Sequence, residues 1–75
     1  MRRNEELEWE FPNRLQEAMV DNFVEATDFE DNDICSESAI KSYIKGTHIP
    51  NLRTAHAIAE FLGVSVDWLC GEESY

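Results

Sequence analysis

The sequence predicts an all-α fold, a compact bundle of about five short helices, and three observations lead there. Apolar residues recur at spacings of three and four along most of the chain, the period of a helix with one buried face. Residues suited to begin a helix (Pro12, Ser36, Asn51 and Ser65) stand ahead of such runs, and Gly46, Gly63 and Gly71 stand at their ends. The single alternating stretch, NEELEWEF, is short and carries four glutamates, so it reads as an arm leading into the first helix rather than as a strand.

That arm spans residues 1–10, with Leu7 and Trp9 as apolar anchors and Phe11 following. Pro12 fits the first turn of helix 1, where its missing N–H costs nothing. Leu15, Met19 and Phe23 then repeat at four-residue spacing and predict one stripe turned to the core. After Asn22 the pattern weakens; Val24, Ala26 and Phe29 seat a short helix 2 beginning near Glu25 or Thr27. Asp31-Asn32-Asp33 is turn-like, because Asn and Asp tolerate the left-handed conformation better than most residues.

Ser36 suits the N-cap of helix 3, its hydroxyl accepting an orphan backbone N–H, and Glu37 suits the positive end of the helix dipole. Ile40, Tyr43 and Ile44 fall on one face, leaving Glu37, Ser38, Lys41, Ser42 and Lys45 elsewhere; Gly46 ends the helix. Asn51 caps helix 4, whose stripe is Leu52, Ala55, Ile58, Ala59 and Leu62, and Gly63 stops it. Ser65 caps a last helix, Val66 to Cys70, with Trp68 and Leu69 inward and Gly71 closing it.

Seventy-five residues make one small domain, read as residues 11–71, with 72–75 a tail that could open a linker. A chain this short buries only about 60% of its unfolded surface, so its margin of stability is thin. Two cysteines and no secretory signal pattern predict reduced, buried thiols and a cytoplasmic location. Cys and His do not fall at metal-ligand spacing, and apolar runs are too short to span a membrane; no metal, cofactor or membrane partner is expected. Without a nucleophile–base pair, spaced carboxylates or a Gly-rich phosphate loop, an enzyme is not expected either. The formal net charge of −10 is uneven: six acids and no base lie between Asp21 and Asp33, whereas residues 38–75 are nearly balanced.

The segment SESAIKSYIKGTHIPNLRTAHAIAEFLGVSVDWLCGE resembles the lambda-repressor-like (Cro/C1-type) helix-turn-helix domains of phage and bacterial transcriptional regulators. Ile40, Tyr43, Ile44, Gly46, Pro50, Leu52, the pair Ile58-Ala59 and the run LGVSVDWLCG carry the likeness, and PNRLQEAM matches helix 1 more loosely. The departure lies in helix 2. Where the family places a small residue between helices and a turn glycine two residues before the cap, this chain has Glu30 and Ile34. A charged glutamate pressed between helices pays several kcal/mol of desolvation. Helix 2 is therefore expected to be rotated so that Glu30 points outward, with Asn32 or Asp33 supplying the left-handed turn.

The resemblance implies a sequence-specific DNA-binding regulator of the repressor kind, or its N-terminal DNA-binding domain, placing helix 36–45 in the major groove of an operator. Ser36 stands at the entry; Glu37, Ser38 and Ser42 would meet bases, with Lys41 at the groove wall. Lys45, Thr47, His48 and Asn51 would hold phosphates. So few cations per subunit imply a homodimer, for which helix 5 and the arm residues Leu7 and Trp9 are the candidate surfaces. The acidity does not forbid DNA, since charges beyond a Debye length of about 8 Å are largely screened. The alternative keeps the fold but binds a basic protein through the acidic 21–33 surface, as an antitoxin, antirepressor or DNA mimic would.

Overall fold

Pro12 in the first turn starts α1 at Phe11, as its ring geometry allows. In the computed structural model, which describes residues 10–71, the helices are α1 (Phe11–Asp21), α2 (Ala26–Asp31), α3 (Glu37–Lys45), α4 (Leu52–Leu62) and α5 (Val66–Leu69), with no strand among the described residues. The arm with Leu7 and Trp9 and the tail 72–75 lie outside those residues. Ser36, Asn51 and Ser65 cap α3, α4 and α5, accepting from the backbone N–H of Ala39, Thr54 and Trp68. At α2 a capping box forms: Glu25 is the N-cap and its own N–H donates to Asp28 Oδ2 at 2.8 Å.

Four helices end the same way. One residue with positive φ donates back three residues, and the next donates back five. These pairs are Phe23 and Val24 after α1, Asp33 and Ile34 after α2, Gly46 and Thr47 after α3, and Gly63 and Val64 after α4. This is the pattern that returns two orphan carbonyls to hydrogen-bonding partners at a helix C-terminus. Glycine fills the left-handed position after α3 and α4, where it carries no Cβ penalty. Phe23 (φ 55°) and Asp33 (φ 60°) fill it on either side of α2, and they are the non-glycine residues of positive φ among those described. Asp tolerates that conformation; phenylalanine pays about 1–2 kcal/mol for it.

The core joins all five helices: Phe11, Leu15, Ala18 and Met19 from α1, Phe29 from α2, Ile40 from α3, Ile58, Ala59 and Leu62 from α4, and Leu69 from α5. Phe29 anchors the six-residue α2 and meets Phe61 edge-to-face at 5.2 Å. Phe11 meets Tyr43 in the same way at 6.2 Å, seating α3 on the start of α1. One turn along α1, Arg14 stacks over the Trp68 ring at 4.8 Å and its Nη1 donates to the Trp68 carbonyl at 2.7 Å, which ties α1 to α5.

Several expectations change. Phe23 does not continue the Leu15–Met19 stripe; α1 ends two residues earlier and Phe23, in the left-handed turn, is 93% exposed. Leu52 leaves the α4 stripe and is 78% exposed, because it begins the helix beyond the edge of the core. Trp68 packs against the core as expected but is only half-buried, with Arg14 over its ring, and α5 stops before Cys70. Cys35 and Cys70 form no disulfide among the described residues, and each is half-buried rather than buried. Among the described residues no group of His, Cys, Asp and Glu could hold a metal, and no helix is long and apolar enough to cross a membrane.

Candidate nucleic-acid interface

The buried side of α3 is Ile40, with Tyr43 and Ile44 partly covered; at 100° per residue the remaining arc runs Glu37, Lys41, Lys45, Ser38, Ser42. Those five expected contact residues therefore share one outward arc. Lys41, Lys45 and Ser38 are exposed, while Glu37 and Ser42 are half-covered at its two borders. Lys41 Nζ lies 3.0 Å from Glu37 Oε2, an i,i+4 pair open to water and worth a few tenths of a kcal/mol. Lys45 makes no ion pair among the described residues.

The loop after α3 folds back along it. Thr47 donates from both its backbone N–H (3.1 Å) and its hydroxyl (3.2 Å) to the Ser42 carbonyl, and that hydroxyl lies 3.3 Å from His48 Nδ1. An open groove of about 280 Å³ results, lined by Ser36, Ser38, Ala39, Ser42 and Tyr43 at α3 and by His48 and Ile49 of the loop. Its hydroxyls can donate or accept, and its apolar side chains can take a methyl group. Asn51 sits beyond the loop, its Oδ1 accepting from Thr54 N–H at 2.8 Å, and exposed Arg53 lies in the first turn of α4.

Sequence reasoning missed the apolar side chains of this groove. Tyr43 packs against the core as its spacing predicts and also lines the groove, and Ile49, 69% exposed, lines it from the loop. It also missed what Glu30 does. The side chain is outward, but its Oε1 accepts the backbone N–H of Glu37 at 3.0 Å, so a carboxylate sits on the positive end of α3. Nothing local in the sequence announces a contact across seven residues. The left-handed turn falls at Asp33, three residues before the Ser36 cap, so the α2–α3 connection holds one residue more than the family pattern.

A family model described as Helix-turn-helix matches residues 33–69, from that turn to the end of α5. Residues 33–69 therefore form a helix-turn-helix region of the Cro/C1, lambda-repressor-like type. No curated protein and no solved structure matches it. The matched region begins at Asp33, so α1 and α2, the latter carrying the departure at Glu30, precede it. The family is one of DNA-binding transcription regulators, not of enzymes.

Proposed function

We propose that this helix-turn-helix protein is a sequence-specific, phage-type repressor, or the DNA-binding part of one, that acts in the cytoplasm on a two-fold operator with 11–71 as its working domain. The outward arc of α3 carries the reading, because it combines cations, hydroxyls and a carboxylate on one exposed helix face. Glu37 accepts from a cytosine amino group, while Ser38 and Ser42 donate or accept at base edges. Ser36 opens the groove, and Ala39 and Ile49, which also line it, take a thymine methyl. With Glu30 and Glu37 at the start of α3, phosphates are held at its other end, by Lys45, Thr47, His48 and Asn51, with Lys41 released from Glu37 on docking.

Dimerisation supplies the second half of the footprint. Ile49 and Leu52 stand exposed beside an apolar groove of about 200 Å³ that also includes Pro50, Val66 and Cys70, and a second copy placed there would pair two α3 helices. The Glu30 carboxylate and the acidic 21–33 surface favour the second reading, in which the domain binds a basic protein in place of DNA.

Fluorescence anisotropy with random duplex DNA across a salt series tests the first reading. The expected slope of log K against log salt is about −3 to −4 per subunit, falling by about 2 in the Lys41→Ala, Lys45→Ala double variant. Glu37→Ala is expected to change sequence preference more than total affinity. No binding at low salt, or binding indifferent to the double substitution, overturns it.

A further inference from the structure

We propose that the α1–α2 corner is a docking knob for a protein partner: Phe23, with Val20 beside it, enters an apolar pocket whose rim carries lysine and arginine. Phe23 is 93% exposed and Val20 is 67% exposed, and the Phe23 N–H donates to the Val20 carbonyl at 3.1 Å, which holds the two at one corner. Phe23 contributes nothing to the core, yet it occupies a left-handed position that glycine fills after α3 and α4. One substitution to glycine would relieve the backbone and remove the exposed ring together. A residue that strains the backbone and contributes no packing points to a role outside the fold.

The corner is also firmly presented. Val24 packs against the core and donates to Met19 O at 2.8 Å, and Asn22 Nδ2 donates to Ala18 O at 2.8 Å and reaches Leu62 O at 3.3 Å. An aromatic side chain on a preorganised turn makes a low-entropy anchor, the kind that dominates protein interfaces. The charge of the segment that carries it selects the partner. Asp21, Glu25, Glu30, Asp31 and Asp33 are exposed, and the segment 21–33 contains no base. A second copy would set acid against acid across a two-fold contact, and a nucleic acid would set acid against phosphate. A basic protein surface fits both the ring and the charge. The knob is separate from the α3 arc and operates whether or not α3 reads DNA.

The test selects binders to the intact chain from a display library of random peptides about a dozen residues long, with counter-selection on Phe23→Gly. Enriched peptides should carry Lys or Arg around an aliphatic or aromatic residue, bind Phe23→Gly and Phe23→Asn about tenfold or more weakly, and weaken with added salt. Phe23→Gly should raise Tm by several degrees and retain DNA binding, and the Lys41→Ala, Lys45→Ala variant should keep peptide affinity. Four results overturn the proposal: no peptide distinguishing wild type from Phe23→Gly, discriminating peptides without positive charge, a lower Tm in Phe23→Gly, or self-association in sedimentation that Phe23→Gly abolishes.

Discussion

Cys35 lies half-buried in the connection between α2 and α3, and burial pushes its thiol pKa up. Tyr43 is raised as well, first by burial and then by the Cys35 charge. Both groups are favoured neutral in the fold, so the stability linked to them is complete at neutral pH. It is lost as pH climbs through the raised folded values. Thermal melts followed by circular dichroism should show Tm falling once pH passes the ordinary thiol range near about 8.5. Cys35→Ala should delay that fall, because it removes one titrating group and one of the two causes acting on Tyr43. A wild type and variant that lose stability together would place the alkaline transition elsewhere.

The helix ends follow one geometry with two chemistries. Gly46 and Gly63 satisfy it without strain, Asp33 satisfies it at small cost, and Phe23 at a larger one. Denaturant midpoints should rank accordingly: Asp33→Gly gains a few tenths of a kcal/mol, Phe23→Gly about 1–2 kcal/mol, and Gly46→Ala loses about 1–2 kcal/mol. An added Cβ at Gly46 would lie 3.8 Å from Pro12 Cγ, an ordinary contact, so that last loss reports backbone conformation rather than crowding. The α2 helix depends on one core side chain, Phe29, which explains why its position was harder to read than α3 or α4. Six residues hold less than two turns of periodicity, and Glu30 could be placed outward only by arguing from desolvation. Its bond to Glu37 N–H comes from packing α2 across the start of α3.

Across the whole molecule, acid is concentrated before residue 38, and Lys41 and Lys45, two of the three lysines and arginines after it, lie on the α3 face. A monomer with so small a cationic footprint binds DNA weakly, which makes the Ile49–Leu52 surface the place to test assembly. Leu52→Glu should leave Tm nearly unchanged, since the side chain is already exposed, while abolishing any dimer in sedimentation. It should also weaken binding to a two-site duplex far more than to a single half-site. Equal loss on both duplexes would mean that Leu52 acts at the DNA and not between copies.

Helix number, the Ser36, Asn51 and Ser65 caps and the glycine stops were legible in order along the chain, because capping and periodicity are local properties. The arc of α3 followed from the same period. What residue order could not reach were the ends of the stripes and contacts between distant segments. Phe23 and Leu52 match the apolar spacing as well as any core residue, and only the point where α1 ends and the edge where α4 begins turn them to solvent. The groove against Ile49 and the Glu30 carboxylate at α3 likewise depend on how a loop and a neighbouring helix lie in space. Burial is a property of the assembled bundle, and a repeat in the sequence states only which residues are able to share a face.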